Sequence, residues 1–221
     1  MYHLVGVPPL FHRLRGLYVT PRHLAWQLRE LQATPDIHFS TLGEWNRLRP
    51  SGRHVEITFD DAYRNLFVNG LPVLQKAGVR AITYVVTSLI GKSNEWDQVG
   101  GARREPLMDR TQLAEWIAAG HEIGSHGLTH RSLTALSRDE ARQEITDSKH
   151  RLEDFFGQPI RHFCYPYGDW NEAIRDMVQE AGYETATSTI AGLNIATTDA
   201  FALRRFLARH QRPYLAALTR L

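Results

Sequence analysis

The stretch that most constrains this chain is Val55-Glu56-Ile57-Thr58-Phe59-Asp60-Asp61-Ala62, an apolar run ending in two adjacent carboxylates. β-Formers lead up to Phe59 and helix formers follow Ala62, so the spacing predicts a strand giving way to a helix at the acid pair. In α/β folds that edge is where chemistry collects. Neighbouring carboxylates repel, and a cation between or beside them relieves the repulsion. One Asp bound to a metal, with the other free as a base, is one resolution. Simple solvation, or an Asp capping the next helix, is the other.

Around this stretch the pattern alternates between strand and helix. Residues 2–7 read as a short strand stopped by Pro8-Pro9, and Thr20-Pro21 opens a helix to about Ala33 with Leu24, Leu28 and Leu31 on one face. Residues 37–39 suit a strand, 41–48 a small helix, and 63–77 a helix that Pro72 should kink and Gly78 cap. The run Ala81-Ile82-Thr83-Tyr84-Val85-Val86 is the strongest strand, apolar enough to be covered on both faces. A long polar connection over 88–109 holds Trp96-Asp97 and Gly100-Gly101. Helices follow over 111–119, 137–156 (with the capping-box pair Ser137 and Glu140) and 171–181, and strands over 122–124, 161–164, 183–187 and 201–207. A terminal helix is predicted over 213–218. The alternation, without internal repeats, points to an α/β fold with a parallel sheet or barrel.

With 221 residues, 43% hydrophobic and 23% charged, the chain suits one domain over 1–221. A net charge of +2 is too balanced to argue for nucleic acid or an anionic membrane as partner. The single cysteine, Cys164, excludes an intrachain disulfide and a thiolate metal site. Met1-Tyr2-His3-Leu4 lacks a basic start and no apolar run is long enough to span a bilayer, so the expectation is a cytoplasmic chain without a transmembrane segment.

The second constellation is Ser125-His126-Gly127-Leu128-Thr129-His130, directly after a strand. Imidazoles four residues apart share a face if one helical turn intervenes, a separation one metal ion accepts. With Asp61 they make a His-His-Asp set that leaves a position for water, the open arrangement of a catalytic zinc. His121-Glu122 beside His126 imitates a zinc-protease HExxH, yet the second histidine would have to be residue 125, which is Ser.

Thr58-Phe59-Asp60-Asp61, His126-Gly127-Leu128-Thr129-His130 and Tyr165-Pro166-Tyr167-Gly168, in this order and at these intervals, resemble the first three motifs of the polysaccharide deacetylase family, the NodB-homology or carbohydrate esterase 4 group. The similarity runs from Tyr2 to about Arg205. It implies a distorted (β/α)7 barrel, a divalent metal (usually zinc) on Asp61, His126 and His130, and Asp60 as general base. The Tyr167 backbone N–H is implied to stabilise the oxyanion, and Pro166 to shape the groove wall. The implied reaction is hydrolysis of an acetyl group from a glycan or sugar conjugate. Trp96, Tyr167 and Trp170 are aromatics that could stack on sugar rings.

For the acid, the common motif order suggests His210, whereas Met1-Tyr2-His3 resembles a permuted subgroup of exopolysaccharide deacetylases in which the motif lies at the N-terminus. His3 is favoured, because Arg209 and Gln211-Arg212-Pro213 make His210 look like an exposed linker. Three departures from the family pattern stand out. Ala62 replaces a usual glycine, Gly127 a usual Ser or Thr, and Cys164 the arginine that pairs with the base. Arg205 could supply that charge from another strand, or could be a surface residue beside Arg204. The short stretch before His3 would leave that residue loosely held. A carbohydrate-binding module without turnover and an amidohydrolase for a non-sugar amide are the competing readings.

Overall fold

The computed structural model describes residues 1–11, 13–48, 51–97 and 104–208. Strands Leu4–Val5 (β1) and Tyr18–Val19 (β2) pair in parallel. Helix Pro21–Ala33 (α1) starts where the Thr20 hydroxyl accepts the His23 N–H, and proline at the first turn removes a donor the helix could not have used. Leu24, Leu28 and Leu31 of α1 are all buried. Ile37–Phe39 (β3) pairs in parallel with Arg53–Val55 (β4) across helix Leu42–Leu48 (α2).

The main sheet begins at Ile57–Phe59 (β5). It continues through helix Leu71–Ala77 (α3), strand Ala81–Val85 (β6), helix Arg110–Ala118 (α4) and strand Glu122–Ser125 (β7). Helix Arg138–Phe156 (α5), strand His162–Cys164 (β8), helix Glu172–Glu180 (α6) and strand Thr185–Thr187 (β9) complete it. The five strands run parallel in the order β5-β6-β7-β8-β9. Tyr2 adds to the β5 edge through a parallel bridge to Phe59, and Leu203 adds to the β9 edge through one to Thr187. The two edges then meet. Met1 N donates to Phe206 O (2.9 Å) and Ala208 N to Met1 O (2.8 Å), so the sheet curls into the distorted (β/α)7 barrel that the resemblance implies.

The interior is packed to the point of excluding a methyl group. A Cβ on Gly124 would lie 2.6 Å from the Tyr84 ring and 2.7 Å from His162 O, so only glycine lets β6, β7 and β8 close up there. Phe59, Trp116, Phe163 and Tyr165 are fully buried in one core, and Trp116 donates its indole N–H to Glu122 O at 2.8 Å.

Three expectations need correction. Residues 63–77 are not one helix: Tyr63 bridges Leu107, and a wide turn over Leu66–Gly70, closed by Leu71 N–H to Leu66 O, precedes α3. Pro72 has no N–H to offer the preceding turn, and the wider turn accommodates that loss. Of residues 201–207, Phe201 and Ala202 belong to a turn at Asp199 and only Leu203 bridges the sheet, because Asp199 and Asn194 take up the neighbouring hydrogen bonds. Helix α4 begins at Arg110, one residue before the spacing suggests, under an Asp109–Gln112 capping box. The helix expected over 213–218, His210 and Gly100-Gly101 lie outside the described residues. Among the described residues no helix is long and apolar enough to cross a membrane.

His121, the start of the false HExxH, is buried, stacks on Trp116 at 4.2 Å and accepts the Ala81 N–H on Nδ1. Burial brings it down from 6.5 to about 4, and does the same to His162. Between those values the unfolded chain binds the extra protons, so stability rises with pH and is lost on acidification. Going from pH 7 to pH 5 is expected to cost about 2 kcal/mol per histidine. A urea midpoint equal at the two pH values would contradict this.

Candidate metal centre and acid–arginine pair

β5 delivers Asp60 and Asp61 to the end of the barrel, where the chain turns through left-handed conformations at Asp61 (φ 71°) and Ala62 (φ 54°). The turn separates the two carboxylates. Asp61 meets the histidines, Asp60 meets an arginine, and the repulsion between adjacent acids is spread over two different partners.

His126 leaves β7 with its N–H on Val85 O (2.9 Å) and its Nδ1 against Cys164 O (2.8 Å), which directs Nε2 inward. The segment to His130 is a loop and not the helical turn expected, because Gly127 (φ 78°) and His130 (φ 64°) both take left-handed conformations. A Cβ at residue 127 would stand 3.4 Å from Glu144 Oε2 and 3.5 Å from Pro166 Cγ. Those are ordinary contacts, so the left-handed backbone, and not a lack of space, explains glycine where the resemblance leads one to expect Ser or Thr. The loop still brings the imidazoles together.

Both Nε2 atoms, of His126 and His130, lie 3.4 Å from Asp61 Oδ1. All three side chains are buried, and Oδ1 has no hydrogen-bond donor. Burial alone would push the Asp61 carboxyl up, but the two imidazoles hold it well below the usual carboxylate range. An ionised, undonated oxygen facing two ring nitrogens fits a divalent cation, and two nitrogens with one oxygen suit zinc with a position left open. Asp60, His126 and Cys164 also lie within reach of one another. That grouping is already used up, since both Asp60 oxygens and the Cys164 sulfur are engaged by Arg205.

Arg205, buried two residues after the Leu203 bridge, forms a two-pronged pair with Asp60: Nη1 to Oδ1 at 2.6 Å and Nη2 to Oδ2 at 2.9 Å. Ser188 O, Thr58 Oγ1 and Cys164 Sγ accept its remaining contacts at 2.9, 3.2 and 3.1 Å. Burial opposes ionisation of Asp60, and Arg205 together with His3 and His126 offsets it, so the carboxyl is lowered. Arg205 is therefore no surface residue. The guanidinium that the resemblance leads one to expect at position 164 arrives here from the edge segment beside β9.

His3 Nε2 is 3.9 Å from Asp60 Oδ2, near but beyond hydrogen-bond length, and its Nδ1 is buried without a partner. Burial lowers its pKa. His3 is not loosely held, as its short leading stretch suggested: Tyr2 N donates to Thr58 O (2.8 Å) and Asp60 N to Tyr2 O (2.9 Å). On the other side, Tyr167 takes φ 60° in the turn after β8. That turn's hydrogen bonds run from Gly168 N to Tyr165 O and from Asp169 N to Pro166 O, leaving the Tyr167 N–H outside them.

His130 is packed between Trp96, stacked at 4.2 Å, and Tyr167, edge-on at 4.5 Å. These three line a cleft of about 670 Å³ with Glu95, Thr129 and Arg131. Trp170, the third aromatic the sequence offers for sugar stacking, lies on Tyr165 at 5.9 Å instead and packs against the core. A second cavity of about 410 Å³, lined by Trp45, Leu193, Ile195 and Phe206, reaches Thr58 and Arg205 but none of the three cation-facing groups. Sequence reasoning missed Glu144, which contacts the loop backbone from α5, because nothing in its helix distinguishes it from a surface acid.

The structure is thus a curled parallel α/β barrel carrying, at the ends of its strands, a His-His-Asp group that could hold a cation and beside it an acid paired with arginine. The chain belongs to the polysaccharide deacetylase family, whose model matches residues 47–186. It is 26% identical over 166 residues to the poly-beta-1,6-N-acetyl-D-glucosamine N-deacetylase of Staphylococcus epidermidis, covering 72% of this chain and 57% of that protein. The chain spans about half the length of the curated relatives it matches. Among solved structures, the Streptococcus pyogenes deacetylase PplD in complex with acetate superposes with a TM-score of 0.85 at 24% identity, over 99% of this chain and 95% of that one. IcaB from Ammonifex degensii gives 0.83 at 21%, over 100% and 96%. These two share the fold.

Proposed function

We propose that this chain, as one domain over 1–221, is a divalent-metal-dependent deacetylase that hydrolyses N-acetyl groups on a polysaccharide, with zinc the favoured ion. The observation that carries the reading is Asp61 Oδ1, buried, without a donor and 3.4 Å from each of two imidazole nitrogens, one residue away from an acid clamped by arginine. The S. epidermidis relative's name supplies the substrate class, N-acetylated β-1,6-glucosamine polymer, and the acetate bound to PplD is the product such a reaction releases.

Asp61, His126 and His130 would hold the ion, which when bound supplies a Lewis acid for water and the acetyl carbonyl. Asp60, kept ionised by Arg205, accepts a proton from the attacking water. The free Tyr167 N–H donates to the carbonyl oxygen as negative charge builds on it. His3, on the Asp60 side, returns a proton to the departing nitrogen, so that the amine and not an amide anion leaves. Trp96 and Tyr167 offer faces for a sugar ring and Pro166 forms the adjoining wall. Arg205 restores the charge lost at Cys164, which removes the main ground for a binding-only module.

Acetate release from β-1,6-linked N-acetylglucosamine oligomers tests the reading, with chitooligosaccharides as the comparison substrate. Release should vanish after dialysis against a chelator and return with zinc; undiminished release after chelation, or none from any acetylated sugar, overturns it. His3→Ala is expected to lower turnover by about a hundredfold while His210→Ala changes it little. The opposite ranking would move the acid role to His210.

A further inference from the structure

We propose that Glu144 is a positioning residue for the metal-binding loop, fixing the backbone that carries His130; this rests on the metal reading above. At the first end of the loop from His126 to His130, the ladder bond and the Nδ1 contact of His126 fix that ring directly. At the far end, His130 takes a left-handed conformation and its Nδ1 has no partner, so no second hydrogen bond orients the ring in the usual way. Gly127 has no side chain with which to brace the turn.

The peptide groups between the two histidines are instead held from both sides. The Gly127 and Leu128 carbonyls accept the N–H groups of Thr87 and Ser88 at 3.2 and 2.9 Å, from the end of β6. The Leu128 and Thr129 N–H groups both donate to Glu144 Oε2 at 2.9 Å, and the Thr129 hydroxyl donates to Glu144 Oε1. These peptide groups, which the loop would otherwise strand in the barrel mouth, are thereby paired. Glu144 is buried on α5, and among the described residues no Lys, Arg or His forms an ion pair with it. A carboxylate desolvated for three loop donors, and for no cation of its own, acts as a clamp on the peptide planes just before His130. The aromatic rings of Trp96 and Tyr167 then set the ring's tilt.

The test is zinc affinity of the full chain by competition with a chromophoric chelator, alongside amide exchange at Leu128 and Thr129. Glu144→Ala is expected to weaken zinc about 10- to 100-fold and to speed exchange at both amides. Glu144→Gln should stay within about threefold of wild type, since its carbonyl can take both N–H groups while its amide donates to the Thr129 hydroxyl. Wild-type zinc affinity in folded Glu144→Ala, or equal losses in the Ala and Gln variants, overturns the proposal. Should Glu144→Ala not fold, Glu144→Asp carries the test, since its shorter side chain withdraws the carboxylate from both N–H groups, and wild-type zinc affinity in that variant overturns the clamp equally. If the wild-type chain takes up no zinc and Asp61→Asn is indistinguishable from it, the metal reading fails and the clamp falls with it. Failure of the clamp alone would instead leave Asp61→Asn weak and Glu144→Ala tight.

Discussion

Asp60→Asn is expected to lower acetate release by about 10³- to 10⁴-fold, the upper range for loss of a general base, while zinc affinity stays close to that of the wild type. The two effects separate because the chain itself separates the two acids. The left-handed turn at Asp61 and Ala62 sends Asp61 to the imidazoles and leaves Asp60 in the fork of Arg205. Asparagine keeps the shape of the side chain and one acceptor for Arg205, but it cannot take a proton from water. The buried guanidinium then lacks its counter-charge, so a stability loss of about 3 kcal/mol should accompany the loss of turnover. Zinc titration and urea unfolding on the same preparation distinguish a lost base from a lost ion or a lost fold. Activity within tenfold of wild type would mean that another group takes the proton.

Local signals in the sequence carry much of this fold because they are local in physical origin. Thr20-Pro21 opens α1 and the Ser137–Glu140 box opens α5, since each cap is satisfied within one turn. The β-former-rich β6 reads as a central strand because both of its faces are covered, each of its five residues being buried. The convergence of Asp61, His126 and His130 is legible for a related reason: a spacing of four between His126 and His130 restricts their separation whether the intervening residues form a helix or, as found, a glycine-directed turn. What the sequence conceals is non-local. Arg205 and Asp60 are 145 residues apart, and no periodicity distinguishes Arg205 from Arg204 beside it; only closure of the barrel turns one inward and leaves the other exposed. Glu144 is likewise one acid among several on a capped helix until the 126–130 loop folds against it. The anchoring of His3 depends on Tyr2 joining β5, a contact that a two-residue lead could not announce.

The relocated arginine makes a prediction that a merely decorative ion pair would not. Arg205→Ser should destabilise the chain by about 3–5 kcal/mol, because it leaves the Asp60 carboxylate buried without a counter-charge. Asp60 would respond by holding a proton to higher pH, so turnover should fall as well, since a protonated acid cannot act as base. Adding Cys164→Arg to the same chain returns a guanidinium to the position from which the family draws it. The Cys164 sulfur lies within 4.8 Å of the Asp60 carboxylate and 3.1 Å from the Arg205 Nη2 it would replace, so an arginine side chain from β8 can reach the acid through the volume that Arg205 vacates. The double variant is therefore expected to recover at least half of the lost unfolding free energy and a measurable part of the activity. Cys164→Arg alone should be worse than wild type, because two guanidinium groups would then compete for one carboxylate in a buried space. If Arg205→Ser keeps wild-type stability and turnover, the charge at Asp60 is satisfied by something other than this pair. Should the double variant instead lose as much as both single changes summed, the two positions do not share a role, and the arginine at 205 is no substitute for the one missing at 164.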